Sequence, residues 1–165
     1  MKPVINIDDA PLREMKGADG AFEAKVAPVG PSIGSVGIGC MVTIVPPGKK
    51  AFPFHVHHNK HELFVILEGT GAYRFGSETY PIKAGDILAA PAGEGAEMAH
   101  QIVNTGTSEL KYLGISDQST TDVMEYPDSG KFQVASRFDW GNPAAGGLRY
   151  VGRAESAVDY FDGEE

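Results

Sequence analysis

His55-Val56-His57-His58-Asn59-Lys60-His61-Glu62 holds four of the chain's five histidines and ends on a carboxylate. The fifth, His100, stands 38 positions beyond Glu62. Imidazole and carboxylate are the usual protein donors to borderline divalent ions. On a strand, side-chain direction repeats every two residues, so His55 and His57 present their rings on one side. The run therefore predicts a metal centre built on β-structure.

The flanking sequence reads as a series of short strands. Ser35 to Val45 alternates, with Val36, Ile38, Cys40, Val42 and Ile44 on one face, which predicts a half-buried strand stopped by Pro46-Pro47-Gly48. Phe52 to His57 and Glu62 to Leu67 follow, the latter apolar on both faces. Further segments run from Ala72 to Phe75, Thr79 to Ile82, Ile87 to Pro91, Ala99 to Val103 and Leu110 to Ile115, with Gly, Pro, Asn and Asp between them. Strands at such close spacing indicate an all-β sandwich or barrel. Residues 1 to about 32 read as irregular, because Pro3, Pro11, Pro28 and Pro31 break any long helix. From Asp117 the pattern weakens. Tyr126-Pro127-Asp128-Ser129-Gly130 reads as a turn, and Phe132 to Val134 as an added edge strand. The Gly-rich acidic tail from Asp139-Trp140 carries Tyr150, Tyr160 and Phe161, aromatics expected to pack on the barrel or a partner subunit.

Composition narrows the function. The chain has 165 residues, suited to one domain with a sizeable core. Its net charge of −8 argues against a nucleic-acid partner. No apolar run is long enough for a membrane span, and the first residues carry no apolar signal segment, so a cytoplasmic protein is expected. A single cysteine, Cys40, allows no internal disulfide and is expected to be a small core residue.

Taken together, these residues resemble the two-part signature of the cupin superfamily. Gly48, His55-Val56-His57, Glu62 and Gly69 match its first part, and Gly85, Pro91-Ala92-Gly93, His100 and Asn104 its second. Six residues separate Gly93 from His100, where the family usually has two. The stretch Glu125 to Lys131 resembles a subgroup of small bacterial cupins, some labelled sugar-phosphate isomerases. The resemblance implies a double-stranded β-helix, or jelly-roll barrel, over residues 35–116, with an N-terminal arm at 1–34 and a C-terminal extension at 117–165. It also implies a divalent ion (Fe, Mn, Ni or Zn) held by His55, His57, Glu62 and His100. Local geometry agrees with that set: the turn at His58 to His61 resets the register, so Glu62 faces inward with Phe64 and Ile66. Those two residues and Ile102 are expected to line the cavity, with Tyr73, Phe75 and Tyr112 as further candidates. His58 and His61 are expected at the surface or behind the ligands, and Asn104 is expected to brace its turn.

Four protein donors leave two positions of an octahedron open, which suits a small oxygen-bearing ligand. The expected function is a small-molecule enzyme of dioxygenase or sugar-phosphate-isomerase type. The alternative is a non-catalytic metabolite-binding cupin, with a structural or storage role ranked below both. No catalytic residue beyond the metal shell is identified. For a phosphorylated substrate, Lys49, Lys50, Lys60 and Arg74 are the nearest cations in sequence. The apolar strand at Glu62 to Leu67 and the two arms suggest a homodimer.

Overall fold

The computed structural model describes residues 2–138 and 143–164. Its strands are β1 (Arg13–Lys16), β2 (Glu23–Pro28), β3 (Ile38–Val45), β4 (Val56–His57), β5 (Glu62–Glu68), β6 (Thr70–Phe75), β7 (Glu78–Lys83), β8 (Ile87–Ala90), β9 (His100–Val103), β10 (Leu110–Asp117), β11 (Thr121–Tyr126), β12 (Lys131–Ser136) and β13 (Leu148–Gly152). The only helical elements among the described residues are three-residue 3-10 turns. None of them is long and apolar enough to cross a membrane.

One layer is a six-stranded sheet of order β1-β2-β3-β10-β5-β8. The other combines β7-β6-β9 with β4-β11-β12-β13, and the two parts are joined by an antiparallel bridge between His55 and His100. The fold is all-β, a jelly-roll sandwich. Residues paired across antiparallel strands face the same way. Thus Phe64, Ile66, Leu88, Ala90, Leu110 and Tyr112 turn from the first sheet into the interior, where they meet Tyr73, Ile82 and Ile102 from the second. Ile66, Leu110 and Tyr112 are fully buried.

Three expectations need correction. β3 is not half-buried: Thr43 and Val45 fill the interior side, while Val42 packs outward against Ala10, Ala27 and Val29. The outward face is covered because the N-terminal region is not irregular. β1 and β2 extend the sheet beyond β3, and Ile5, Ile7 and Ala10 lie across it. Proline breaks a helix, but it is tolerated at a strand end, where Pro28 sits. Beyond Asp117, Phe132 to Val134 lies not on an edge but inside β12, between β11 and β13. The tail aromatics divide. Tyr150 packs on Phe132, whereas Tyr160 and Phe161 touch each other and remain 87% and 72% exposed. Asp139-Trp140, the start of that tail, lies outside the described residues.

Side chains also lock the turns. Asn104 donates from Nδ2 to the carbonyls of Val45 and Ser108 at 2.8 Å each, and its Oδ1 accepts from Gly106 N–H, bracing the β9–β10 turn. Gly69, between β5 and β6, has φ +86°, and a Cβ there would lie 2.4 Å from the Glu109 carbonyl oxygen. Left-handed backbone costs an L-residue about 1–2 kcal/mol. Gly69→Ala should therefore lower the unfolding free energy by more than that amount, whereas Gly48→Ala, at φ +73° with open space around it, should cost about the backbone term alone. Urea denaturation of the two variants tests this, and equal losses would contradict the crowding at Gly69.

Candidate metal centre

Four side chains converge where β4 meets β9, opposite β5. His55 N–H donates to the His100 carbonyl at 3.1 Å, and His100 N–H returns a bond to His55 at 2.8 Å. This reciprocal pair places both imidazoles on one side, with ring centroids 4.5 Å apart. His57, two residues along, joins them with its ring centroid 5.0 Å from that of His55. Glu62 reaches in from β5. Its Oε2 lies 3.3 Å from His100 Nε2 and 3.4 Å from His57 Nε2.

The tightest group is His55, Glu62 and His100, whose donor atoms all fall within 4.8 Å of one another. Donors sharing one ion at bonds of about 2.0–2.2 Å must lie roughly 3–4.5 Å apart, so a small movement suffices. His57 stands beside this trio and touches it through Glu62.

The outer nitrogens of two rings are already engaged. His55 Nδ1 lies 2.8 Å from the Pro53 carbonyl oxygen, which can only accept. His57 Nδ1 meets the Asp122 carboxylate. A neutral imidazole has one N–H, so both arrangements put the proton on Nδ1 and leave the Nε2 lone pair free. His100 Nε2 is buried with no hydrogen bond, its 3.3 Å approach to Glu62 being too poorly aimed to count as one. An unsatisfied buried imidazole nitrogen beside a carboxylate is the arrangement that a divalent cation would complete.

Electrostatics sharpen the picture. Burial, and then the neighbouring His100 and His57, hold His55 down to about 3 from its ordinary 6.5, against the opposing pull of Glu62. Burial alone would raise Glu62, but the close approach of His100 Nε2 and the charges of His57, His100 and His55 outweigh it and bring it to about 2. Glu62 is thus a carboxylate and His55 a neutral base over the ordinary pH range, both in donor form.

The residues expected to line the cavity lie in the core of the sandwich. Phe64 and Ile102 are buried, and the Phe64 ring lies 5.5 Å from His100; Ile66 sits one pleat deeper. Tyr73 is also buried, with its hydroxyl donating to the Ala89 carbonyl. Phe75 is half-buried, and Tyr112 packs edge-on against Phe64. His58 Nε2 lies 2.7 Å from Glu125, and His61 Nδ1 accepts from Ala92 N–H at 3.1 Å, so neither ring joins the four groups. The six residues between Gly93 and His100 fold into a 3-10 turn at Ala96–Met98 and rejoin the sheet at Ala99, whose carbonyl accepts from Gly76 N–H. The longer loop therefore bulges outward and leaves His100 in line.

Sequence reasoning missed two residues of this region, Asp122 and Tyr126, both on β11. The Tyr126 ring stacks beside His55 at 6.1 Å. A signal for β11 was present: Thr121-Asp122-Val123-Met124-Glu125-Tyr126, then Pro127-Asp128-Ser129-Gly130, then Lys131-Phe132-Gln133-Val134 reads as strand, turn, strand. Alternation along it puts Asp122, Met124 and Tyr126 on one side.

The two shifted groups fix how acid acts on the metal-free protein. His55 is neutral in the fold, so proton uptake by the unfolded chain draws stability away as pH falls below about 6.5 toward about 3. Glu62 stays charged in the fold, so its contribution is intact above about 4.5 and is lost as pH falls toward about 2. The urea midpoint measured in excess chelator should fall continuously over this range, and His55→Ala should flatten its upper part. A midpoint constant from neutrality down to the carboxylate range would contradict the assignment.

Comparison with known proteins places this architecture. Residues 41–116 match the family described as Cupin domain. The oxalate-binding protein of Thermotoga maritima is 35% identical over 71 residues, 43% of this chain, and the chain spans 54% of that relative's length. The crystal structure of a cupin-superfamily sugar phosphate isomerase from Silicibacter pomeroyi superposes with a TM-score of 0.78 at 21% identity, covering 97% of this chain and 98% of that one. A Cupin 2 conserved barrel domain protein of Salinispora arenicola superposes with a TM-score of 0.55 at 19% identity, covering 70% and 88%. With its jelly-roll layers and its His/Glu cluster at the seam, the part of the chain at residues 41–116 is a cupin domain.

Proposed function

We propose that this cupin is a metal-dependent small-molecule enzyme whose divalent ion is held by His55, His57, Glu62 and His100. The observation that carries the reading is the buried, unbonded Nε2 of His100 facing Glu62, with the Nε2 atoms of His55 and His57 left free by their Nδ1 partners. A bound first-row ion would supply Lewis-acid polarisation of a coordinated oxygen and, if iron, oxygen activation. The chain's own contribution is to orient and to exclude water. Phe64, Tyr73 and Tyr126 wall the cluster, and Glu62 keeps its negative charge.

Within this reading a small oxygen-bearing acid fits better than a sugar phosphate. Three of the cations expected near a phosphate are engaged elsewhere. Lys49 donates to the Gly20 carbonyl, Lys50 lies over the Phe22 ring, and Arg74 forks onto Asp128 while stacking on Phe54. The isomerase reading therefore ranks below one in which two oxygens of a carboxylate or hydroxy acid meet the open positions, as in dioxygenase-type chemistry. A second reading, non-catalytic binding of such an acid, is favoured by the similarity to the Thermotoga oxalate-binding protein.

Elemental analysis of protein purified without added metal should find close to one first-row ion per chain. His57→Ala should strip most of it while the circular dichroism of the β fold persists, and His58→Ala should leave it in place. Unchanged metal in His57→Ala would remove that residue from the shell. Turnover of small carboxylates with oxygen uptake would establish the oxygenase form, and tight binding without product at full metal loading would favour the binding reading.

The homodimer is also proposed. Ile38, Leu63 and Ile87 stay exposed on the outer side of the six-stranded sheet, where the N-terminal cover does not reach. Light scattering at micromolar concentration should return twice the 17.5 kDa chain mass, and a monomer would remove this part.

A further inference from the structure

We propose that Asp122 is a positioning residue of the metal centre: its carboxylate holds the His57 ring and the turn after it, so that His57 Nε2 faces Glu62. The inference rests on the metal-centre reading above and adds to it a residue beyond the matched domain. Asp122 lies on β11, which pairs with β4 through Met124 opposite His57 and Glu125 opposite Val56. Two residues before Met124, it shares that side of the strand and lies diagonal to His57.

Both of its oxygens are used on the histidine-rich segment. Oδ2 accepts the Nδ1 proton of His57, and Oδ1 accepts Asn59 N–H at 3.1 Å. The backbone adds a third tie, from His58 N–H to the Val123 carbonyl at 2.9 Å. With its side chain 5% exposed, Asp122 sits where a carboxylate is costly unless bonded, and every bond it makes goes to His57 or to the turn leading to Glu62. One side chain thereby sets the tautomer of one donor and the register of the strand that carries another. A carboxylate behind a metal-binding imidazole fixes ring orientation and raises donor basicity, and its loss typically weakens metal binding about 10–100-fold.

Glu125 supplies an internal control. It is also a carboxylate on β11 in contact with a histidine, but it meets His58 on the outward side, where both are considerably more exposed.

The test uses the full chain stripped of metal with a chelator and titrated with Zn²⁺ against a competing indicator. Asp122→Ala should weaken Zn²⁺ binding about 10–100-fold, and Asp122→Asn, which keeps the shape but sets an amide against Asn59 N–H or His57, should weaken it by the lower end of that range. Glu125→Gln should leave it within about twofold. In a His57→Ala background, Asp122→Asn should change affinity by less than about twofold, because the two residues act as one unit. Long-range ¹H–¹⁵N spectra of the Zn²⁺-loaded wild type should show His57 protonated at Nδ1, with that proton lost or fast-exchanging in Asp122→Asn. Should Asp122→Ala fail to fold, the Asn variant and its double-mutant cycle decide. Wild-type-like affinity and an unchanged His57 Nδ1 proton in Asp122→Asn would overturn the positioning role alone, as would additive losses in the cycle. A wild-type chain that takes up no Zn²⁺ would overturn the metal centre itself.

Discussion

Two backbone hydrogen bonds exchanged between His55 and His100 are what the candidate site depends on. They join the three-stranded and four-stranded parts of one layer into a continuous face. Residues directly opposite each other in an antiparallel pair point the same way, so the approach of the two imidazoles follows from the main chain and not from side-chain attraction. Strand periodicity then adds His57 from the same strand. Three basic rings crowded together would repel one another if protonated, and the low position of His55 reflects that crowding together with its burial.

Glu62 completes the group from the opposite layer, which makes the spacing between layers part of the chemistry. That spacing is held by the packing of Phe64, Ile66 and Tyr112 against Tyr73 and Ile102. The core that stabilises the barrel is therefore also what sets the distance between carboxylate and imidazoles. The N-terminal residues contribute from outside: by covering Val42 they allow β3 to be buried on both sides, and β3 in turn supports β10 beside β5.

The strands between Ile38 and Asp117 were legible in the sequence because each is short, apolar and punctuated by glycine or proline. The four converging groups were legible because histidine is rare here and its spacing is informative. Other features were not. β1 and β2 carry Glu14, Lys16, Glu23 and Lys25 on a solvated side, which blurs an apolar alternation. β11 hides Asp122 among strand residues, where a charged group ordinarily signals a solvent face. Its partner His57 is 65 residues away, so the reason for that carboxylate exists only once the sheet has formed. The exposure of Tyr160 and Phe161 was not readable either, because aromatic character announces an affinity for burial without saying whether a surface is there to receive it.

β4 is only two residues long and is flanked by β11 on one side and by the His55–His100 bridge on the other. A fragment ending at residue 116 would keep every imidazole and carboxylate of the cluster and still leave β4 with a bare edge and His57 without its carboxylate neighbour. The frame that aims these donors is accordingly larger than the matched domain, and shuffling residues 41–116 into another chain would transplant the donors without β11 and its carboxylate.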